Sequence, residues 1–215
     1  MRRPRNILIA LALVATWALA SASSAAATNC PNTDVQVGGL SQDQMESSIT
    51  CLINENRSSF GLRPVTANSD LRQAALSHSN EMIDESYFEH TSPAGLTFIQ
   101  RIQGTGYMKN ARSWVVGENL VWGTEELSTP QSLVTAWMNS PPHRENLLRA
   151  RFREIGVAAV VGTPEPGGQA DPTGVTVSSE YGYRNFGRKA HASKAKKAKK
   201  SRRFRKHRKH RRHAK

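Results

Sequence analysis

Apolar side chains recur at three- and four-residue steps behind residue 44, and this spacing predicts an amphipathic helix. Ser41 and Gln44 form a capping box at its start, while Gly61 and then Pro64 mark its end. The residues that recur at this spacing are Met45, Ile49, Leu52, Ile53, Asn56 and Phe60. The same spacing predicts a second helix from about Asn68 or Ser69, with an inner stripe of Leu71, Ala74, Ala75, His78 and Met82.

Two shorter helices are predicted further along the chain. One covers residues 96–102 and is closed by Gly104 and Gly106. The other opens at Thr129 with Pro130 just inside, a favoured position for proline, and ends where two further prolines follow at 141 and 142. The side chains that it is expected to bury are Leu133, Val134 and Trp137.

The C-terminal third has the pattern of strands. Residues 155–161 and 175–183 are apolar and rich in β-branched side chains, and the glycine- and proline-rich residues 162–174 between them predict a long hairpin loop. Residues 114–116 are a plausible third strand that leads into Gly117 and Glu118. Helices followed by antiparallel strands predict an α+β layered domain. One domain suffices for the 160 residues from 28 to 187.

Residues 1–27 have the composition of a secretory signal peptide. Three arginines precede an apolar run of 14 residues at positions 7–20, and Ala25 and Ala27 offer a cleavage site before Thr28. A retained anchor is the weaker alternative because a spanning helix needs roughly 20 apolar residues. A lipoprotein is weaker still, because the residues before Cys30 are bulkier than those that normally precede an acylated cysteine. We therefore expect export, with no transmembrane anchor in the mature chain.

Two cysteines remain after that cleavage, Cys30 and Cys51, an even number in a chain predicted to be exported. We expect a structural disulfide between them, which would tie an N-terminal extension at residues 28–40 to the first helix. The alternative is two free buried thiols, which an oxidising compartment disfavours.

Charge divides the chain into two parts of opposite sign. Residues 188–215 hold 16 of the 30 Lys and Arg and no acid, whereas residues 28–187 hold 11 basic and all 17 acidic residues. The last segment has almost no apolar surface to bury, so we expect a disordered polybasic tail. Its expected partners are envelope polyanions or anionic lipids, together with non-specific binding of nucleic acid. The alternative is a solubilising tail without a dedicated partner.

Three motifs carry the candidate chemistry. They are Tyr-Phe-Glu-His-Thr-Ser-Pro at residues 87–93, Gly-Glu-Asn-Leu at 117–120 and Trp-Met-Asn-Ser-Pro-Pro-His-Arg at 137–144. Each places one metal-binding or proton-transferring side chain next to residues that turn the backbone. Two imidazoles and a carboxylate are a typical donor set for zinc with an open coordination position.

In order and spacing, these motifs resemble the bacterial branch of the CAP superfamily of SCP-like extracellular proteins. That superfamily includes cysteine-rich secretory proteins, antigen 5 and plant pathogenesis-related proteins. The resemblance covers about residues 42–187, which we delimit as a domain at 41–187, and implies an α-β-α sandwich with a small central antiparallel sheet. It also implies that His90, Glu118 and His143 line one cleft, where some members hold zinc or a similar divalent cation.

One departure from the family pattern weakens a catalytic interpretation. Many eukaryotic members have a second glutamate after the tryptophan, whereas here Met138, Asn139 and Ser140 follow Trp137. Glu118 is therefore the single candidate for a catalytic acid or base. The alternative for the two histidines is a structural polar network with Asn119 and Ser140 as partners.

His78 belongs to the inner stripe of the second helix, which favours a buried, hydrogen-bonded histidine over a ligand. A supporting role behind the ligands is the alternative. Several aromatic residues near the motifs could line a groove for lipid or glycan, but core packing explains them equally well. These residues are Phe88, Tyr107, Trp114, Trp122 and Trp137.

These observations favour a non-enzymatic, secreted and monomeric binding module that the tail holds near the cell envelope. The second hypothesis is a zinc-dependent hydrolase with His90 and His143 as ligands and Glu118 as ligand or base. The third is nucleic-acid binding through residues 188–215.

Overall fold

The computed structural model describes residues 29–167 and 171–187, so the predicted signal peptide and the polybasic tail lie outside the described residues. The helices are α1 (Gln42–Ser59), α2 (Ser69–Asp84), α3 (Phe98–Gly104), α4 (Pro130–Asn139) and α5 (Pro141–Leu147). The strands are β1 (Thr66–Ala67), β2 (Ser113–Thr124), β3 (Glu154–Val161) and β4 (Gly174–Asn185). Short 3-10 helices cover Val37–Gly39 and Glu125–Ser128.

Side-chain caps fix where the helices begin. The Ser41 hydroxyl accepts from the Gln44 N–H, and the Gln44 side chain accepts from the Ser41 N–H, as the sequence predicts. A second capping box between Thr97 and Gln100 starts α3 at Phe98, two residues later than predicted. The prolines at 141 and 142 end α4, but they also occupy the first turn of α5, where a missing N–H costs no hydrogen bond.

The sheet has the strand order β1-β3-β4-β2. β2 pairs with β4 along its whole length, from Ser113 opposite Asn185 to Thr124 opposite Gly174, so it is much longer than the predicted residues 114–116. β3 and β4 form the predicted antiparallel hairpin. The predicted sheet was purely antiparallel, whereas β1 adds a two-residue parallel edge, because the chain between α1 and α2 runs along the start of β3.

Helices cover both faces of the sheet, which gives the expected α-β-α sandwich. Side chains of α1, α4 and α5 form the larger core with the inward residues of β3 and β4. A smaller core on the opposite face joins α2 and α3 to β2. Gly156 allows α2 to lie directly on β3, because a Cβ there would overlap the backbone of Leu71 and Arg72.

Cys30 and Cys51 form the expected disulfide, which ties the N-terminal extension to α1. Next to it, the Asn29 backbone N–H donates to the Glu55 carboxylate over 2.7 Å. Among the described residues, none of the helices has the length and apolar character that crossing a membrane requires.

Candidate functional site

Glu118 lies in the middle of β2, directly opposite Glu180 of β4. Its side chain is 1% exposed, and each of its oxygens has a partner. Oε1 is 2.7 Å from His90 Nδ1, and Oε2 accepts from the guanidinium of Arg101 over 2.6 Å. The sequence predicts Glu118 at the end of a short strand, where site residues are common; the structure instead places it within a long strand, under the helical layer.

His90 lies in the loop after α2, and its side chain is 52% exposed. Arg101 of α3 holds this loop, because its guanidinium donates to the backbone carbonyls of His90 and Leu96. The hydrogen bond with Glu118 raises the pKa of His90 above its ordinary value, against an opposing effect of partial burial. The Nδ1 atom faces the carboxylate, so the Nε2 atom is the one left for a ligand.

His78 is fully buried beneath the same carboxylate, with Nε2 4.0 Å from Glu118 Oε2. Nε2–H donates to the Glu89 carbonyl over 3.0 Å, and Nδ1 accepts from the Tyr87 hydroxyl over 3.3 Å. Burial lowers the pKa of His78, which favours the neutral imidazole that this pattern of donor and acceptor requires. Both ring nitrogens are thereby used in fixing the loop that carries His90.

Glu180 is a member of the site that the sequence motifs do not reveal. Its side chain is fully buried, and neither oxygen has a hydrogen-bond donor among the described residues if both carboxyl groups are ionised. Burial and the neighbouring charge of Glu118 raise the pKa of Glu180 well above its usual range. The raised pKa favours the neutral acid, the form in which the Glu180 carboxyl group can donate a hydrogen bond to the Glu118 carboxylate.

Glu118 itself stays ionised despite its burial. Burial alone would raise the pKa of Glu118, but hydrogen bonds from His90 and Glu180 and the charge of Arg101 outweigh that effect and lower it. The two pKa shifts are opposite, which favours one carboxylate and one carboxylic acid in the pair, as expected for like charges at close range. The sequence signal for Glu180 was a lone glutamate inside the apolar run of residues 175–183, since an acidic side chain is rarely buried without a partner.

His143 lies in the first turn of α5, beside Asn119 of β2. Asn119 Nδ2 donates to the His143 carbonyl over 2.9 Å, and Asn146 donates both to the Glu118 carbonyl and to Asn119 Oδ1. The imidazole itself has no hydrogen-bond partner within the described part of the chain. Burial, and then the charge of His90, lower the pKa of His143.

Asn119 and Ser140, the predicted hydrogen-bond partners of the two histidines, differ in their contacts. Asn119 is fully buried and holds the backbone of His143 rather than its ring. Ser140 is the N-terminal cap residue of α5, where its hydroxyl makes no capping bond. Of the aromatic residues considered for a groove, Tyr107 and Trp137 are fully buried, whereas Phe88 and Trp114 are partly exposed.

A metal site requires ligand atoms that converge on one point. Within the described ranges, the one group of three such residues with ligand atoms within 4.8 Å of one another is Cys30, Cys51 and Glu55, where both sulfurs belong to the disulfide. Glu118 does not fit as a ligand because its oxygens are occupied by His90 and by a guanidinium cation. The two imidazoles of His90 and His143 fit the chemistry of a zinc ligand, with Glu118 as the carboxylate that orients His90.

Residues 51–197 match the CAP family, described as the cysteine-rich secretory protein family. The chain is 34% identical over 142 residues to YkwD of Bacillus subtilis (strain 168), a match that covers 65% of this chain and 52% of that protein. It is 27% identical over 116 residues to the membrane protein YlbC of the same organism, covering 54% of this chain and 32% of that protein.

The chain therefore spans about half or less of the length of these two relatives. Among solved structures, an outer surface protein from Borrelia burgdorferi superposes with a TM-score of 0.52 and 23% identity, covering 64% of this chain and 90% of that one. This likeness shows that the fold is shared.

Proposed function

The chain belongs to the CAP family, and from this premise we propose that it is an exported, non-enzymatic binding module of the cell envelope. In this proposal, His90 and His143 face a cleft that binds a ligand, and the buried network behind them serves to position the imidazoles. The predicted signal peptide and the disulfide between Cys30 and Cys51 support export, because disulfides persist in oxidising compartments.

The observation that carries the non-enzymatic assignment is that both carboxylate oxygens of Glu118 already have partners. A general base has to come within hydrogen-bond distance of the proton that it removes. The Glu118 carboxylate is 1% exposed, and His90 and Arg101 occupy its two oxygens at 2.7 and 2.6 Å. A substrate would have to displace a buried ion pair before it could reach this group, which favours a structural role for Glu118.

A divalent cation such as zinc is the cofactor that the donor set supports. His90 Nε2 and a ring nitrogen of His143 would hold it, and a bound cation would supply a Lewis-acidic centre for an anionic ligand. The raised pKa of His90 means that proton and metal compete for this imidazole. The affinity for zinc is therefore expected to fall as the pH falls.

Zinc titration calorimetry tests this assignment. The measurement uses the chain from residue 28 to 187, with the disulfide intact, because the polybasic tail contains four further histidines. One zinc per chain in the wild type, lost in both His90→Ala and His143→Ala, is the expected result. Binding that survives both substitutions, or its absence from the wild type, would contradict the two-histidine site.

A zinc-dependent hydrolase that uses His90, His143 and Glu118 is the second candidate. It is favoured by the 2.7 Å contact between His90 Nδ1 and Glu118, since a carboxylate behind a half-exposed imidazole increases its basicity. A screen of peptide, ester and glycan substrates distinguishes the two functions. Turnover that disappears in His143→Ala and in Glu118→Gln would establish the hydrolase and refute the binding module.

The polybasic tail is proposed to hold the protein at envelope polyanions or anionic lipids. Its 16 basic residues follow an acidic domain, so the attraction is electrostatic and decreases with salt. Retention on anionic polymers, compared between the mature chain and a chain that ends at Gly187, tests this proposal over a salt series. Retention on DNA that is independent of the tail would support nucleic-acid binding by the folded domain instead.

A further inference from the structure

Arginines gather on one side of a domain that is acidic as a whole. Residues 141–153 contain four arginines and a single acid, Glu145. The rest of the folded part holds 7 of its 11 basic residues but 16 of its 17 acids. The charge of the domain is therefore polarised, and the basic side includes α5, the helix that carries His143.

The buried guanidinium of Arg57 shows that these arginines are close in space as well as in sequence. It donates to the carbonyls of Arg63, Leu147, Arg149 and Phe152 over 2.8 to 3.2 Å. The backbone at Arg63 thus meets the turn after α5 at one point. We call the exposed residues Arg63, Arg144, Arg149 and Arg151 the arginine surface.

Among the described residues, the side chains of the arginine surface have no acidic partner within ion-pair distance. None of the ion pairs formed between described residues includes any of the four. Three of them lie over aromatic rings instead: Arg144 over Phe60, Arg149 over Phe152 and Arg151 over Tyr183, at 5.0 to 5.6 Å. A stacked guanidinium keeps its N–H donors directed outwards, and its position is fixed without neutralising its charge.

From this arrangement we infer that the arginine surface binds a phosphodiester polymer of the cell envelope. One guanidinium group binds a phosphate group through two of its oxygens. Four separate guanidinium groups are more than a single phosphate ion can contact. A linear polymer with a negative charge in each repeat matches them. A groove of about 640 Å³ between α4 and α5 has Arg144 and Arg149 on its wall and provides room for such a chain, with Glu145 as its one acid.

A membrane surface fits the arginine surface less well. The large apolar side chain exposed in this region is Phe60, and the guanidinium of Arg144 lies over one face of its ring, so a membrane would meet a single, half-covered phenyl group. Single-stranded nucleic acid would need open aromatic faces on which bases stack, and arginines cover these rings. The inference rests on the proposed envelope role, to which it adds a folded contact beside the tail.

The test compares two double variants of the full mature chain on immobilised poly(glycerol phosphate). Arg149→Gln with Arg151→Gln removes two charges from the arginine surface. Lys109→Gln with Arg112→Gln removes two exposed charges before β2, so that the net charge and the tail are the same in both. Near-UV circular dichroism checks that each variant is folded, and salt is varied between about 50 and 300 mM because phosphate contacts are read from the salt slope.

We expect the first variant to lose about thirtyfold in affinity near 150 mM salt, which corresponds to roughly 1 kcal/mol for each of its two lost contacts. The slope of log K against log salt should decrease by about 1.4, or about 0.7 per released counterion on a flexible polyanion. The control variant should change by less than about twofold. Glu145→Gln, which removes the opposing charge, should bind more tightly than the wild type.

Equal losses of affinity in the two double variants would overturn the inference about the arginine surface. If the wild type is still retained on the polymer in that case, the proposed envelope role is not affected. If even the wild type is not retained, the envelope role fails and the arginine surface fails with it. Vesicles of anionic phospholipid provide the last comparison, where the double variants should behave alike. A loss confined to the Arg149 and Arg151 variant on vesicles, with no loss on the polymer, would identify a membrane contact and refute the polymer.

Discussion

Replacing Arg57 tests the idea that one buried cation holds the helix of His143 in place. Arg57 is fully buried in α1, and its partners are backbone carbonyls alone, with no carboxylate among the described residues. Two of these carbonyls, on Leu147 at the end of α5 and on Phe152 shortly before β3, are themselves buried. Arg57→Met keeps most of the side-chain volume but removes every donor.

The expected cost follows from those two acceptors. Each buried carbonyl left without a donor costs about 1–3 kcal/mol, or about 2–6 kcal/mol together. Burial of the guanidinium, which also lowers the pKa of Arg57, disfavours the native state of the wild type, and its removal offsets part of the loss. We expect Arg57→Met to reduce the free energy of unfolding by about 3 kcal/mol, a large share of the typical 5–15 kcal/mol.

Urea unfolding, followed by tryptophan fluorescence with the disulfide intact, measures this difference. A loss of that size corresponds to a decrease in Tm of about 6–12 °C for a domain of this length. Arg63→Met is the matched control, because Arg63 is exposed and should change stability by about 0.5 kcal/mol or less. If Arg57→Met unfolded at the same urea concentration as Arg63→Met, the assigned role of the buried cation would be wrong.

Three further predictions concern the site and the packing beside it. Glu118→Gln should lower the pKa of His90 towards its ordinary value, which an NMR titration measures. Because the pKa of His90 is raised in the folded state, the stabilisation by the pair of His90 and Glu118 is complete at acidic pH and is lost as the pH rises through the folded-state pKa. Glu180→Gln should be at least as stable as the wild type in urea at pH 7, because the raised pKa of Glu180 makes the wild type lose stability as the pH rises above about 4.5. Glu180→Ala should be less stable than the wild type, because it leaves a cavity. Gly156→Ala should lower the Tm by several degrees, because the added methyl group overlaps the backbone of α2 at Arg72 and the helix has to shift.

Local sequence signals were sufficient for most of the fold. The capping box of Ser41 and Gln44 and the apolar periodicity behind it define α1, since the start of a helix depends on contacts within four residues. The parallel pairing of Thr66 and Ala67 with β3 was not predictable, because two residues carry no periodicity. The full length of β2 was missed for a related reason: glycines at 117 and 123 interrupt the apolar pattern that identifies a strand.

The candidate site was harder to predict than the fold. Its motifs identified His90, Glu118 and His143, but the residues that determine what Glu118 does come from elsewhere in the chain. Arg101 lies in α3 and Glu180 in β4, and only the pairing of β2 with β4 brings Glu180 opposite Glu118. Contacts of this kind depend on strand register, which is not visible in local spacing.

The network around Glu118 has a consequence for what the proposed cleft can bind. Glu118 is ionised between the cation of Arg101 and the imidazole of His90, so at mildly acidic pH His90 is a charged donor. His143 has the opposite tendency, because burial and the charge of His90 lower its pKa and favour the neutral ring, which can accept a hydrogen bond. The two imidazoles of the proposed cleft therefore differ in basicity. Such a pair suits a ligand that accepts at His90 and donates at His143, and it distinguishes this ligand from a divalent cation, which requires both rings to be neutral.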